Sequence, residues 1–225
     1  MNLNELYFNK NIKTPKISAS KYESDLIFYT FIKSWGMSID ASQFSEDLFN
    51  EFQLLQEDKD ATTPFEYEDN LSMEENALKS SLKLLNSKVL NNYNKEEIKL
   101  GLETSCLCLK NNYLFWANIG QPHLLLYRKS IGLLQLHNQN DLSFDYCNSS
   151  QNPLPKNVLG LHNSVNISVN KLKLKKSDKL YLISRPYISP DIFKLSKEDI
   201  TLDKIAKSLS QDNNQLSFWI AELSN

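Results

Sequence analysis

Residues 101–141 read GLETSCLCLKNNYLFWANIGQPHLLLYRKSIGLLQLHNQND, and this stretch decides the fold. It holds four short apolar segments, rich in leucine and aromatic residues and separated by turn-sized gaps, a pattern typical of consecutive β-strands. The Asn111-Asn112 pair between the first two segments suits a tight hairpin turn, because asparagine tolerates positive φ. We therefore predict a four-strand meander over 104–110, 112–119, 122–129 and 132–138.

The segments on either side of this stretch carry both helical and strand patterns. Apolar residues recur at three- and four-residue steps over 40–56 and 71–90, which predicts two amphipathic helices. The patterns also predict strands at 26–33, 165–174, 179–184 and 216–223, a short helix at 188–199 and a longer helix at 200–211. Residues 1–21 are expected to form an irregular arm, and residues 22–225 a single layered α+β domain.

The composition excludes several classes of function. A formal net charge of -2 and a pI near 6.0 provide no overall field that would attract nucleic acid or an anionic membrane. The apolar runs are too short to cross a bilayer, and the first residues lack the pattern of a secretory signal, so we expect a cytoplasmic protein without membrane insertion. The glycine-rich motifs of dinucleotide sites, P-loops and serine hydrolases do not occur.

The cysteines predict no disulfide framework. The chain has three, Cys106, Cys108 and Cys147, which is an odd number and few for 225 residues. Cys106 and Cys108 alternate along one predicted strand, so both thiols share a face with Cα atoms about 6.5–7 Å apart, which is marginal for a bridge. A zinc site would need a further ligand pair that the sequence lacks. We interpret both as buried structural thiols.

The segment ANIGQPH at 117–123, followed by LYR at 126–128, resembles the centre of the PPM (type 2C) metal-dependent protein phosphatases. Their pattern there is A-N-V-G-D-S-R leading to L-Y-R. Further segments similar to family motifs follow in the same order, namely TFIKSWGMSIDAS at 30–42, VLGLHN at 158–163, SDKLYLISRP at 177–186 and NNQLSFWIAEL at 213–223. The resemblance implies a four-layer α-β-β-α sandwich with two antiparallel sheets.

The resemblance also implies a catalytic cleft, but the residues depart from its chemistry. These phosphatases hold two Mg²⁺ or Mn²⁺ ions with aspartates, and the ions activate a water for attack on phosphate. Here Trp35 stands where a bridging carboxylate is expected, and Arg185, Gln121 and Asn214 replace other aspartates, while Asp25 matches the first family aspartate. The degenerate cleft is predicted to comprise Asp25, Trp35, Gly36, Gln121, His123, Arg185 and Asn214.

These departures predict a pseudophosphatase, a catalytically inactive regulatory or scaffold protein that needs no cofactor and acts in signalling by binding another protein. A positive charge at Arg185 would repel metal ions in the cleft. The same guanidinium could bind phosphate bidentately, so the expected partner is a phosphorylated or acidic protein. Nucleic acid is not an expected partner.

Two alternatives remain at this stage. The first is a divergent phosphoserine or phosphothreonine phosphatase that holds Mg²⁺ or Mn²⁺ weakly through residues among Asp25, Asp178, Asp191 and Asp212. Asp25 and Asp212 are its weak metal candidates. The second is a structural subunit that assembles through the last strand, where Phe218 and Trp219 cannot both face one core.

A lysine-rich segment, VNKLKLKK at 169–176, allows two interpretations. Its lysines alternate with apolar residues, which favours the solvated face of a strand. A surface for an acidic partner is the other interpretation.

Overall fold

A computed structural model of the chain describes residues 2–8, 14–22, 25–57, 64–137, 157–198, 200–214 and 216–224. The chain divides into two compact units. Unit 1 comprises Met1–Thr14, Gln121–Lys156 and Lys175–Asn225, and unit 2 comprises Pro15–Gly120 and Asn157–Leu174. Within the described residues, no helix is long and apolar enough to cross a membrane.

Unit 2 contains a five-stranded antiparallel sheet with strand order β2-β3-β4-β5-β8. Its strands are β2 (Lys16–Tyr22), β3 (Leu26–Gly36), β4 (Leu100–Lys110), β5 (Tyr113–Ile119) and β8 (Val169–Lys173). Its helices are α1 (Ser42–Glu57) and α2 (Met73–Tyr93). Asn111 and Asn112 both have positive φ in the β4–β5 turn, which confirms the predicted hairpin.

The core of unit 2 lies between one face of this sheet and the two helices. Every second residue of β3 and β4 faces the helices, as the period of a strand requires. Helix α2 begins with a capping box in which Ser72 and Glu75 satisfy each other's backbone N–H groups. The buried residues of this core include Phe28, Ile32, Phe44, Leu48, Phe52, Leu78, Leu82, Val89, Leu102 and Cys106.

Unit 1 contains a second five-stranded antiparallel sheet, with strand order β1-β10-β9-β6-β7. Its strands are β1 (Asn2–Phe8), β6 (His123–Arg128), β7 (Gly132–Gln135), β9 (Lys179–Ser184) and β10 (Phe218–Ser224). One face packs against a 3₁₀ helix (Pro190–Lys194) and α3 (Leu202–Asp212). The amphipathic α3 contributes Ile205 and Leu209 to this core.

Two predictions about the architecture are wrong. Asn2–Phe8 and Lys16–Tyr22 are strands, where an irregular arm was expected over 1–21, because β1 pairs with β10 and β2 pairs with β3. The four-strand meander is also wrong, because β5 pairs with β8 and β6 pairs with β9. The chain leaves one sheet at Gly120 and enters the other after Pro122. A single domain over 22–225 stays a prediction.

Asn94, which follows α2, joins the helix to two other segments of unit 2. Its side-chain NH₂ donates to the carbonyls of Leu100 and Gly160, both at 2.6 Å. Its Oδ1 accepts from the backbone N–H groups of Lys99 (2.8 Å) and Leu100 (2.9 Å). One buried amide therefore satisfies four backbone groups, three at the start of β4 and one at Gly160.

We predict that Asn94→Ala lowers the free energy of unfolding by about 2–4 kcal/mol, because it leaves buried backbone groups without partners. The matched control is Asn92→Ala, near the exposed end of the same helix, which should change stability by less than about 0.5 kcal/mol. Urea unfolding followed by circular dichroism measures both. Equal stability of the two variants would contradict this role for Asn94.

Candidate functional site

Glu103 is the centre of a charged cluster in unit 2. Its side chain is fully buried, and Glu103 pairs directly with Lys33 across β3 and β4. The Glu103 Oε2 atom accepts a hydrogen bond of 2.8 Å from the indole N–H of Trp35 and lies 3.5 Å from Lys33 Nζ. Lys33 Nζ also lies 4.8 Å from the centre of the Trp35 ring. The carboxylate thus accepts a hydrogen bond from Trp35 and forms an ion pair with Lys33.

The backbone around this cluster is shaped to accommodate Glu103. Gly120 has φ +74°, and a Cβ atom there would lie 2.5 Å from Glu103 Cγ. Gly36 has φ +81°, and a Cβ atom there would collide with the carbonyl oxygen of Lys99. Both positions therefore require glycine, one for the charged cluster and the other for the turn after Trp35.

Trp35 and Gly36 are predicted cleft residues, whereas Lys33 and Glu103 were missed by sequence reasoning. The missed signal was a charge inside each of two apolar strand segments, LIFYTFIK and GLETSCLC. Lys33 precedes Trp35 by two residues and therefore lies on the same face of β3. A buried charge is stable only when an opposite charge compensates it, so a lysine and a glutamate buried in neighbouring strands are expected to pair.

Asp25 does not share a site with Trp35, which corrects the predicted cleft. Asp25 is an exposed turn residue directly before β3, whereas Trp35 lies at the other end of this 11-residue strand. A strand rises about 3.3 Å per residue, so the two Cα atoms are about 30 Å apart. Asp25 therefore does not contribute to a site around Trp35.

The other predicted cleft residues lie in unit 1, where Arg185 is fully buried. Its guanidinium donates to the carbonyl of Leu209 at 2.9 Å and to Asp212 Oδ2 at 3.0 Å. It also lies 5.0 Å from the ring of Tyr187 and 6.0 Å from the ring of Phe218. Burial lowers the pKa of Arg185. Through these contacts Arg185 connects the end of β9 to α3. A phosphate would have to displace Asp212 to reach the guanidinium.

Gln121 and His123 lie near Arg185. Gln121 Oε1 accepts a hydrogen bond of 2.6 Å from the Ser184 hydroxyl. His123 Nε2 lies 3.0 Å from the carbonyl of Arg185, so this nitrogen carries the hydrogen. Burial lowers the pKa of His123 to about 4, which keeps the ring neutral at pH 7. Asn214 lies in an exposed turn after α3.

The aspartates proposed as metal ligands have other partners. Asp212 accepts from Arg185 and from the Tyr187 hydroxyl, and Asp178 forms an ion pair with Arg128. Asp191 pairs with Lys194 on the exposed 3₁₀ helix. In the described residues, no group of three or more His, Cys, Asp or Glu side chains is placed to hold a metal ion. The donors around Glu103 carry hydrogens, so this cluster does not fit a dinuclear metal centre.

The structure also bears on the predictions for the cysteines and for the aromatic residues of the last strand. Cys106 and Cys108 are buried on one face of β4, and burial raises the pKa of the Cys108 thiol to about 12, which confirms structural thiols. Cys147 lies outside the described residues. Trp219 is fully buried, and its indole N–H donates to Glu5, so an exposed aromatic face on β10 is wrong.

The lysine-rich strand is partly neutralised by α2. Lys171 Nζ lies 3.0 Å from Glu75, and Lys110 of the same sheet lies 3.1 Å from Glu74. Lys171 and Lys173 are exposed on β8, as expected for the solvated face of an edge strand.

Comparison with solved structures identifies the fold. The chain matches a serine/threonine phosphatase from S. agalactiae with a TM-score of 0.67 at 13% identity, covering 100% of this chain and 99% of that one. It matches the phosphatase Stp1 from Staphylococcus aureus with a TM-score of 0.64 at 15% identity, covering 99% and 95%. For the Mycobacterium tuberculosis phosphatase PstP/Ppp the TM-score is 0.58 at 13% identity, with 100% and 99% covered.

No protein-family model matches the sequence, and no curated protein sequence does. The structural matches confirm the predicted α+β fold, the PPM-type phosphatase fold with two antiparallel sheets.

We predict that Lys33→Met lowers the free energy of unfolding by about 3 kcal/mol, because the buried Glu103 carboxylate loses the ammonium that compensates its charge. Adding Glu103→Gln should recover most of this loss, since the amide oxygen still accepts from Trp35 without carrying a charge. Lys21→Met on the exposed edge strand β2 is the matched control and should have little effect. Denaturant unfolding that gives equal stability for Lys33→Met and the double variant would contradict the ion pair.

We also predict that stability falls as the pH drops from 6.5 to 5. The folded-state pKa of His123 is about 4, below the unfolded value of 6.5, so only the unfolded chain gains a proton in this window. The stabilisation present above pH 6.5 should decrease by about 2 kcal/mol by pH 5. Burial also lowers the pKa of His137, which adds to the same trend.

His123→Asn should reduce the slope of unfolding free energy against pH, whereas His162→Asn, at an exposed position, should retain it. Chemical unfolding at four pH values between 5 and 6.5 measures these slopes. An unchanged slope in His123→Asn would show that this histidine is not the group responsible.

Proposed function

We propose that this chain is a pseudophosphatase, a protein of PPM-type phosphatase fold that acts by binding a protein partner and not by hydrolysing phosphate esters. The observation that carries this proposal is the hydrogen bond of 2.8 Å from Trp35 Nε1 to the buried Glu103 carboxylate. The resemblance implies a bridging aspartate at the sequence position of Trp35, so an indole bonded to a buried carboxylate supports the proposal.

The charge of the cluster supports the same proposal. A dinuclear centre needs several carboxylates whose oxygens face the ions. Here one carboxylate is already compensated by the Lys33 ammonium, and both groups are almost fully buried, with exposed fractions of 4% for Lys33 and 0% for Glu103. A divalent ion would have to displace this ammonium and would meet the donor-only indole of Trp35.

Exposed apolar side chains beside the cluster favour a binding role. Met37 is 46% exposed and Ile98 is 65% exposed. The backbone N–H of Met37 donates to the carbonyl of Lys99, so the two apolar residues belong to adjoining segments of unit 2. We propose these exposed side chains, in segments next to Trp35 along the chain, as the surface that a protein partner contacts. A protein partner and a cytoplasmic location remain parts of the proposal.

The alternative is a divergent metal-dependent phosphatase, and the structural neighbours favour it because the solved structures named above are phosphatases. It would require metal ligands other than those predicted, since Asp25 lies about 30 Å from Trp35 along β3.

Hydrolysis of p-nitrophenyl phosphate and of a phosphothreonine peptide, with MnCl₂ or with EDTA, separates the two functions. We predict that the rate with the purified chain equals the rate without protein in both buffers. The S. aureus phosphatase Stp1, assayed in parallel, provides the positive control. Manganese-dependent turnover that co-purifies with the chain would contradict the proposal and establish the phosphatase. Its loss in Glu103→Gln would assign the metal to the Glu103 cluster, and its persistence would assign the metal to other ligands.

A further inference from the structure

A pocket of about 240 Å³ opens on the helical side of unit 2, apart from the Glu103 cluster. Three of its lining residues belong to α2, three to a segment after Gly160, and the seventh is Phe65. The lining residues are Phe65, Lys83, Asn86, Ser87, Asn163, Ser164 and Val165. The pocket therefore combines apolar surface, hydroxyl and amide groups, and one cation.

Asn86 connects α2 to the segment after Gly160 that lines the pocket. Its Oδ1 accepts from the backbone N–H of Gly160 at 2.8 Å, and its Nδ2 donates to the carbonyl of His162 at 2.9 Å. Both bonds tie the segment that carries Asn163 and Ser164 to α2. A Cβ atom at Gly160 would collide with Val89, so the close approach of this segment also depends on glycine. The pocket is thus part of the folded framework.

Lys83 provides the charge in this pocket. Its Nζ lies 5.0 Å from the centre of the Phe65 ring, which orients the ammonium by a cation–π contact. Among the residues that the structure describes, no carboxylate lies within 4.0 Å of this nitrogen. By contrast, Lys79, one turn earlier on α2, is 2.6 Å from Glu68. The charge of Lys83 helps to lower the pKa of Glu68, whose direct partner is Lys79, so Lys83 lies near this carboxylate without forming an ion pair with it. The N–H donors of Lys83 are therefore available to an anion in the pocket.

We propose that this pocket binds a small organic carboxylate with an apolar body. The Lys83 ammonium would pair with the carboxylate, Ser87 and Ser164 would donate hydrogen bonds, and Phe65 and Val165 would contact the body of the ligand. One ammonium balances one negative charge, which favours a carboxylate over a phosphate dianion. A cavity of about 150 Å³ suffices for benzene, so the larger volume here accommodates a ring together with a carboxylate.

Phenylacetate is a suitable probe because it combines a ring and one carboxylate. In ¹H–¹⁵N NMR titrations of the full chain, phenylacetate should shift the amide signals of residues 83–87 and 163–165. The neutral analogue 2-phenylethanol and inorganic phosphate should each bind at least tenfold more weakly, because the first lacks the carboxylate and the second lacks the ring.

Lys83→Met keeps the aliphatic stem and should weaken phenylacetate binding about tenfold, the loss expected for one charge-assisted hydrogen bond. Lys95→Met, at an exposed position beyond α2, is the matched control and should bind like the unaltered chain. Unshifted pocket signals at saturating phenylacetate, or equal affinities of Lys83→Met and Lys95→Met, would overturn the proposal. Preference for phosphate over phenylacetate would overturn the assigned ligand class.

Discussion

The buried carboxylate of Glu103 is the constraint on which the organisation of unit 2 depends. A charge with no solvent exposure is stable only when it is paired and hydrogen-bonded, and here Lys33 and Trp35 meet that requirement. The register of β3 and β4 places Lys33 directly opposite Glu103, which brings the two charges together. Gly120 leaves room for the glutamate side chain. One carboxylate thus determines the residues at three surrounding positions.

The same cluster links the fold to the proposed function. The solved structures that match this chain along nearly its whole length are phosphatases, yet identities of 13–15% relate them to it in fold alone. The difference proposed here is one of charge compensation, because the chain supplies its own cation through Lys33. Arg185 in unit 1 is likewise paired internally, with Asp212, and serves the packing of α3.

Much of this fold could be predicted from sequence, because periodicity and turn residues report local structure. Strand β9 was located at its observed bounds, and Asn111-Asn112 formed the expected turn. The edge strand β1 was missed because it is half-exposed and polar, so its stability comes from pairing with β10. The position of Asp25 was misjudged although the strand predicted at 26–33 already lies between Asp25 and Trp35, because the motif match was not weighed against the length of that strand. The Lys33–Glu103 pair was missed because the single charge in each apolar segment shows that a partner is needed, whereas only the register of β3 and β4 shows which residue that partner is.

Anomalous diffraction at the manganese edge, from crystals of the chain soaked in MnCl₂, tests the central claim most directly. We predict no anomalous peak within coordination distance of Glu103 and an intact hydrogen bond between this residue and Trp35. A manganese peak on the Glu103 carboxylate, with Lys33 displaced, would contradict the claim that this cluster takes the place of a metal site.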